Sequence, residues 1–348
     1  MKIVVDNKIP FIKGEIEKIA DTVVYLSAAN ITAEAVKDAD ALVIRTRTKC
    51  DKDLLEGSKV CFIATATIGF DHIDIEYCDK AGIQWKNAPG CNSNSVRQYI
   101  YSSLVLIEKK FTKPLSNFTL GIVGVGHVGS KIKELADELG MQTLLCDPIR
   151  GNNEIDFEHT PLEELAIHAD IITFHTPLTF NGDAPTYHLA SSSFFNKLKR
   201  KPIVINTARG EVIETSSLKY ALDNDIIADA IIDVWENEPN IDLSLLNKVW
   251  ISTPHIAGYS ADGKAKATEM ALMALTDFLG IDSTIEIHPP SLLDNKISAH
   301  TFHEALLAIY NPLCDSEVLK NNSSSFEELR SNYKLRREQL AYCIDLVD

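Results

Sequence analysis

The sequence lacks any long apolar run, and this absence removes one broad class of protein. Hydrophobic residues make up 45% of the 348-residue chain, yet no run approaches the ~20 apolar residues that a membrane helix needs. The opening residues, Met1–Asp6, are typical of a short strand, because an acidic residue interrupts them too early for a signal peptide. We therefore expect a cytoplasmic protein with no membrane partner.

Paired cysteines are also absent, and positive charge is scarce. The seven cysteines never form a C-x-x-C pair, so we expect reduced thiols and no metal site. The formal net charge of −15 repels nucleic acid, which excludes it as a general partner. An anionic ligand must therefore be met by local cations or backbone donors.

What the sequence does contain is a regular alternation of short β-rich runs and helix-period segments, as far as about residue 255. This pattern predicts an α/β protein with parallel sheets covered by helices. The length favours two domains. We predict a flavodoxin-like first sheet with strands at 2–5, 22–26, 41–45, 60–64 and 83–86. A second, Rossmann dinucleotide-binding sheet is predicted with strands at 119–123, 143–146, 171–175, 202–206, 228–232 and 249–252.

Turn-rich residues 87–94 separate these two patterns, which places the substrate-binding domain at 1–93 and the NAD-binding domain at 94–259. Residues 262–279 predict one amphipathic helix. Residues 285–348 look like an appendage whose apolar side chains lie near helical spacing and would be exposed in so small a tail: Phe302, Leu306, Leu307 and Ile309. We therefore expect this segment to form a two-fold homodimer.

A glycine-rich loop directly follows the predicted strand 119–123 and opens a helix. Its residues are Gly124, Val125, Gly126, His127, Val128 and Gly129. G-x-G-x-x-G in this context predicts a dinucleotide whose pyrophosphate lies at the helix N-terminus, whereas the alternative is a tight turn that binds nothing. Asp147 ends the next strand, where a carboxylate can bind the adenosine ribose and repel a 2′-phosphate. The sequence thus favours NAD over NADP, with His127 and Val128 among the loop contacts.

Three residues of different chemistry, Arg209, Glu238 and His255, follow successive strands of the second predicted sheet. Ligands of open parallel sheets bind outside the carboxyl ends of the strands, so these residues can converge there. His255 suits proton exchange with a secondary alcohol, Glu238 can orient the imidazole, and Arg209 can bind a substrate carboxylate. Taken singly, each has an ordinary structural alternative: a surface ion pair, a solvated turn or a core histidine.

Together with the glycine loop, these segments resemble the D-2-hydroxyacid dehydrogenase family over residues 1 to about 280. The matching pieces are His175–Leu178, Asn206–Gly210, Asp233–Pro239 and Thr253–Gly258. The resemblance implies NAD-dependent hydride transfer at C2, with Arg209, Glu238 and His255 as the catalytic residues. It implies that a helix within 260–284 returns to the substrate domain. Further NAD contacts are implied for Thr176, Pro177, Thr207, Ala208, Asp233 and Gly258.

Other segments resemble a branch of the family that oxidises a phosphorylated four-carbon acid. They are Arg45–Lys49, Ala64–His72, Ala88–Asn92, Leu145–Pro148 and His255–Ser260. This likeness implies substrate contacts from Thr46, Thr67 and Tyr259. The tail resembles the branch's dimerisation segment but stops early, so its last strand is expected to be incomplete.

Independently, the cations Arg45, Arg47 and Lys49 suit a phosphate, although a solvated loop also explains Arg47 and Lys49. A dehydrogenase of another acid, such as 3-phosphoglycerate, and a non-catalytic NAD-sensing protein stay open as alternatives. For His72 we expect a loop-orienting hydrogen bond rather than a second acid/base pair. For residues 300–304 we expect a plain helix rather than a metal site.

Overall fold

The computed structural model describes residues 1–282 and 284–347, and it divides into two compact units. One unit comprises Met1–Asn92 and Ser260–Leu293, and the other comprises Ser93–Tyr259 and Asp294–Asp348. Residues 283 and 348, which the predicted segments 260–284 and 285–348 include, lie outside the described residues. The division into functional domains stays a prediction, but residues from 294 onward are grouped with the second unit rather than standing apart.

The first unit is built on a five-stranded parallel sheet of order β2-β1-β3-β4-β5. This is the flavodoxin-like order, so that prediction is confirmed. The strands are β1 (Lys2–Asp6), β2 (Thr22–Leu26), β3 (Ala41–Ile44), β4 (Phe62–Thr65) and β5 (Gln84–Lys86). The helices between them are α1 (Ala33–Val36), α2 (Lys52–Leu55) and α3 (Ile75–Ala81).

The second unit contains the predicted six-stranded parallel sheet, of order β11-β10-β9-β8-β6-β7. The strands are β6 (Thr119–Val123), β7 (Gln142–Cys146), β8 (Ile171–Phe174), β9 (Ile203–Asn206), β10 (Asp229–Ile232) and β11 (Ile251–Ser252). The chain crosses over between β7 and β8, which leaves a switch point beside β6, where open α/β sheets bind ligands. The Rossmann class is thereby confirmed.

Helices cover both faces of this sheet, as buried parallel strands require. They are α4 (Ser93–Phe111), α5 (His127–Glu138), α6 (Pro148–Asn153), α7 (Leu162–His168), α8 (Ser192–Phe195), α9 (Thr215–Asp223) and α10 (Leu243–Lys248). All four residues of β8 and all four of β9 are buried. Two apolar clusters, one for each face, hold the unit together.

A long helix, α11 (Ala261–Leu279), belongs to the first unit although it follows the second sheet in sequence. The Ser260 hydroxyl caps it by accepting from Gly263 N–H at 2.8 Å. Its Phe278 ring stacks on Phe62 of β4, with centroids 4.6 Å apart. The apolar face of α11 therefore completes the core of the first unit.

The C-terminal segment, residues 294–347, packs into the second unit, so its apolar side chains are covered within the chain itself. It comprises β12 (Lys296–Ala299), α12 (Phe302–Ile309), α13 (Pro312–Asn321), α14 (Phe326–Ser331) and β13 (Cys343–Leu346). Leu306 and Tyr310 join the cluster on one face of the sheet, and Leu319 and Phe326 join the other. Leu307 and Ile309 are partly buried there too, so α12 already has a partner within its own unit. None of the helices in the described part of the chain combines the length and apolar character needed to span a bilayer.

Candidate active site

The glycine loop joins β6 to α5, and its glycines differ in what they allow. A Cβ on Gly129 would lie 2.0 Å from the carbonyl oxygen of Gly124, so close backbone packing requires glycine there. A Cβ on Gly126 would meet nothing within 4 Å, which leaves open space at the start of α5. His127 is exposed, and Val128 packs against the apolar cluster beneath. The helix N-terminus thus offers free N–H groups to an anion.

Two polar groups beside this loop test whether a dinucleotide fits. The Thr176 hydroxyl, just beyond β8, is buried without a hydrogen-bond partner among the described residues, so an added ligand could satisfy it. Asp147, just beyond β7, accepts from Val125 N–H at 2.9 Å and from Arg150 N–H at 3.1 Å. The Arg150 guanidinium pairs with Glu154 and donates to Val125 O at 2.8 Å, so its charge is met within the protein. The residues present therefore fit NAD.

His175, between Thr176 and β8, is a second histidine near the loop but not a proton carrier. Burial lowers the pKa of its imidazole to about 3, so the ring is neutral. Its nitrogens contact the hydroxyls of Thr173 at 2.9 Å and Thr207 at 3.3 Å. His175 thereby fixes Thr207, which with Ala208 follows β9.

Glu238 and His255 form the pair that the sequence predicts. His255 Nδ1 lies 2.8 Å from Glu238 Oε2, and the side chains are 26% and 17% exposed. The other carboxylate oxygen of Glu238 accepts from Trp235 N–H at 2.9 Å. Burial alone would raise the pKa of Glu238, but the hydrogen bond and charge of His255 outweigh it and lower this pKa. The carboxylate is therefore ionised and accepts the Nδ1 proton, which leaves Nε2 of the imidazole for chemistry.

His255 lies in a tightly held segment, residues 253–258, which we call the His255 loop. Its backbone has a φ of 57°, a left-handed conformation that is strained for a non-glycine residue. Asp233 holds this loop, accepting from the Thr253 hydroxyl at 2.6 Å and from Ile256 and Ala257 N–H at 2.8 and 3.0 Å. Burial raises the pKa of Asp233, although the charge of His255 and these donors oppose it. Asp233 was predicted to contact NAD, and the structure places its oxygens on the loop.

Arg209 follows β9, the sheet neighbour of β10, so its loop lies beside that of Glu238. The Asn206 side chain shapes this loop by donating to Arg209 O and accepting from Ala208 N–H, at 2.9 and 3.0 Å. A Cβ on Gly210 would lie 2.0 Å from the Trp235 carbonyl carbon, so the two loops pack backbone to backbone. Because β9, β10 and β11 are adjacent, the structure brings Arg209, Glu238 and His255 to one sheet edge.

Two arginines of the C-terminal segment also lie at this edge, and sequence reasoning missed both. Arg330 Nη1 is 3.8 Å from Glu238 Oε2, and burial of this guanidinium is offset by Tyr259 and Glu238, which raise its pKa. Arg336 is buried against the His255 loop. Sequence spacing does not point to either position, because the partners at this sheet edge, Glu238 for Arg330 and Ile256 for Arg336, lie more than seventy residues away along the chain.

In the first unit, the predicted substrate contacts lie at the carboxyl ends of two adjacent strands, β3 and β4. We call residues 45–49, after β3, the cationic loop. Arg45 donates to Lys8 O at 3.1 Å, while Thr46 and Arg47 are exposed. Thr65, the last residue of β4, shares a hydrogen bond of 2.7 Å with Thr67, and His72 Nε2 lies 3.0 Å from the Thr65 hydroxyl. His72 thus orients a loop, as expected.

The histidines of residues 300–304 have structural partners. Thr301 and Glu304 form a capping box at the start of α12. His303 Nδ1 pairs with Glu108 Oε2 of α4 at 2.8 Å. Across residues 1–282 and 284–347, no group of three or more His, Cys, Asp or Glu side chains is arranged to hold a metal ion.

Comparison with known proteins assigns this architecture to a family. Residues 95–257 match the sequence profile of the D-isomer specific 2-hydroxyacid dehydrogenase NAD binding domain. Erythronate-4-phosphate dehydrogenase of Bacteroides thetaiotaomicron is 56% identical over 344 residues, covering 99% of both chains. The chain therefore belongs to the D-2-hydroxyacid dehydrogenase family, as the sequence motifs predict, and residues 95–257 form its NAD-binding domain.

More distant relatives carry the same name or the same fold. The erythronate-4-phosphate dehydrogenases of Porphyromonas gingivalis and Escherichia coli are 41% and 36% identical, covering 99% and 97% of this chain and 95% and 92% of theirs. Among solved structures, NAD⁺-bound 3-phosphoglycerate dehydrogenase of Entamoeba histolytica is 27% identical with a TM-score of 0.66, covering 84% of this chain and 99% of its own. D-lactate dehydrogenase of Aquifex aeolicus, at 23% identity and a TM-score of 0.63, covers 80% of this chain and 96% of its own and shares the fold.

Proposed function

We propose that the chain oxidises 4-phospho-D-erythronate to 3-hydroxy-2-oxo-4-phosphooxybutanoate with NAD, in pyridoxal 5′-phosphate biosynthesis. The observation that carries this proposal is the His255–Glu238 hydrogen bond of 2.8 Å at the carboxyl edge of an NAD-binding sheet, beside Arg209. The substrate is supported by relatives of that name that match almost the whole chain.

In this mechanism His255 removes the proton of the C2 hydroxyl. Its Nδ1 proton is donated to Glu238, so the Nε2 lone pair accepts the hydroxyl proton as C2 loses hydride. NAD, when bound, supplies the hydride acceptor. The ketone forms as the hydroxyl proton passes to Nε2, and the ionised Glu238 carboxylate stabilises the resulting imidazolium. The bond to Glu238 orients this ring before substrate arrives.

Arg209 binds the substrate carboxylate in this proposal. The described residues give its guanidinium a hydrogen bond to Ala208 O at 2.8 Å, which anchors one nitrogen and leaves further donors of the fork for a carboxylate. Thr46, Thr67 and Tyr259 are proposed as additional substrate contacts, with Arg45 and Arg47 of the cationic loop binding the phosphate. The NAD contacts are proposed as in the sequence analysis, except that Asp233 acts through the His255 loop.

The test is to measure NADH formation from 4-phosphoerythronate, with erythronate, 3-phosphoglycerate and D-lactate as matched substrates. We expect the highest kcat/KM for 4-phosphoerythronate. A higher kcat/KM for 3-phosphoglycerate would contradict the substrate assignment while leaving the chemistry intact. An absence of turnover with every 2-hydroxy acid, despite NADH binding, would favour the NAD-sensing alternative.

We further propose a homodimer formed through the C-terminal segment. Its support is the two-stranded sheet of β12 and β13, to which no third strand of the described chain pairs, together with the exposed side chains of Leu340 and Leu346. Light scattering at micromolar concentration tests the dimer, and a monomer mass with intact activity would refute it.

The cytoplasm is proposed as the location, because the seven cysteines are free thiols and three are exposed.

A further inference from the structure

Arg336, in the C-terminal segment, is buried against the His255 loop. Its side chain is 9% exposed. The guanidinium donates to the carbonyl oxygens of Ile256 and Ala257, at 3.0 and 2.6 Å, directly after His255. It also donates to Ser95 O at 3.2 Å and to Gln98 Oε1 at 3.3 Å, both on α4. One planar fork thus joins the loop to the long helix that begins the second unit.

The same two loop residues are held from their other side by an acid. Asp233 accepts hydrogen bonds from the N–H groups of Ile256 and Ala257, and Arg336 donates hydrogen bonds to their C=O groups. The peptide group between Ile256 and Ala257 therefore lies between a buried acid, which accepts its N–H, and a buried cation, which donates to its C=O. Peptide dipoles aligned between opposite charges are stabilised strongly in a site that excludes water.

The arrangement goes beyond what folding of the tail requires. Burying a guanidinium is costly unless every donor is well placed, and an apolar side chain often stabilises a core as well or better. The Tyr310 ring, directly after α12 and 4.1 Å from the guanidinium carbon, belongs to the apolar cluster that already packs this segment onto the sheet. A rigid planar fork is well suited to holding two neighbouring carbonyl groups at fixed positions.

We propose that Arg336 is a positioning residue for proton transfer: by fixing the Ile256 and Ala257 peptides, it sets where Nε2 of His255 lies. This rests on the proposed role of His255. The strained φ of His255 persists only because its surroundings over-determine it, and Arg336 supplies the carbonyl half of that constraint. The C-terminal segment is then part of the catalytic apparatus, independently of any role in assembly.

The test compares Arg336→Lys and Arg336→Ala with Lys334→Ala, an exposed cation two residues away. Lysine keeps the charge but is not a planar fork that bridges two carbonyl groups. A displacement of about 1 Å in a reacting group can cost roughly 100-fold in rate. We therefore expect kcat of Arg336→Lys to fall by about 10- to 100-fold, with KM and the NADH dissociation constant little changed. Added ethylguanidine should restore part of the activity of Arg336→Ala, and Lys334→Ala should match the unaltered protein.

A readout without substrate separates positioning from stability. In NMR spectra of the free protein, the signal of the His255 Nδ1 proton should report its bond to Glu238. This signal is identified by its absence from the spectrum of His255→Asn. We expect this signal to be shifted or lost in Arg336→Lys, at a temperature where circular dichroism shows that the variant is folded. An unchanged signal and kcat, with only a lower melting temperature, would overturn the inference.

Two further variants keep the outcomes distinct. If the Arg336 variants do not fold, Gln98→Met removes one acceptor of the fork while Arg336 stays, and a fall in kcat with an unchanged KM supports the inference. An unchanged kcat in that variant would count against it. Full activity in His255→Asn would instead refute the proposed function.

Discussion

The His255 loop and the cationic loop both follow strands at a sheet edge, but they are built in opposite ways. In the His255 loop, Ile256 and Ala257 are buried and their N–H and C=O groups have charged, buried partners. In the cationic loop, Thr46, Arg47 and Lys49 are exposed, and Lys49 pairs with Asp51 at a side-chain exposure of 80%. Under the proposed function, proton transfer falls to a preorganised loop and charge recognition to solvated side chains.

The largest expected effect is loss of the proton acceptor. We expect His255→Ala to lower kcat by about 10²- to 10⁴-fold, because general acid/base catalysis contributes that much. NADH binding, measured by fluorescence titration, should change little, since the glycine loop is untouched. Near-normal turnover would show that the His255 loop does not carry the proton transfer. The contrast between the two loops would then have no functional meaning.

A smaller effect is expected from the cationic loop. Replacing Arg45 and Arg47 by Ala should lower kcat/KM for 4-phosphoerythronate by about 10- to 100-fold each, since a charge-assisted hydrogen bond contributes about 1.5–3 kcal/mol. Added salt should weaken binding of the phosphorylated substrate in the unaltered protein, because exposed charges are screened.

The control for these variants is the unphosphorylated acid. The double variant should lose its preference for erythronate 4-phosphate over erythronate, since specificity is a difference between two affinities. An unaltered preference would place the phosphate site elsewhere and would remove the contrast between the loops. NAD affinity should be the same in both proteins.

A third variant addresses coenzyme choice. Asp147→Ala should reduce the preference for NAD over NADP by about tenfold, because a carboxylate that repels a 2′-phosphate is lost. Since Asp147 also holds Val125 and Arg150 N–H, Asp147→Asn is the matched variant that keeps the shape. If the unaltered protein uses NADP as well as NAD, the assignment of Asp147 is wrong.

The smallest expected effect is on the pH dependence of the free energy of unfolding. It tests whether the pairing of Glu238 with His255 stabilises the His255 loop. The folded pKa of Glu238 is lowered, so its pairing stabilises the protein above the unfolded pKa of about 4.3. This contribution is lost as pH falls through the folded pKa. Urea unfolding should therefore give Glu238→Gln a lower free energy of unfolding than the unaltered protein at neutral pH, and this difference should shrink below about pH 4. A difference in the free energy of unfolding that does not depend on pH would mean that the substitution affects packing alone.

The sequence predicts the sheets well because their signals are local. The strand at 119–123, its glycine loop and Asp147 follow one another within thirty residues, and each has a fixed position relative to the next. The convergence of Glu238 and His255 also follows, because carboxyl ends of parallel strands share an edge. These expectations need no knowledge of long-range packing.

The C-terminal segment could not be predicted in the same way. Apolar residues at helical spacing show that α12 has a buried face but not what covers it, and Leu306 is buried within its own unit rather than left for a partner. Arg336 is charged, so composition places it at the surface. Its partner carbonyls lie about eighty residues earlier, and only the folded chain brings them within 3.0 Å.

The Thr176 hydroxyl has a thermodynamic consequence. A buried hydroxyl without a partner among the described residues costs about 1–3 kcal/mol in the free protein. If NAD accepts or donates a hydrogen bond there, ligand binding removes a defect that folding alone leaves in place. Thr176 then trades stability of the empty protein for affinity, a compromise common at functional sites. Removing the hydroxyl would stabilise the unliganded fold and narrow the gap in melting temperature between the free and NAD-bound protein.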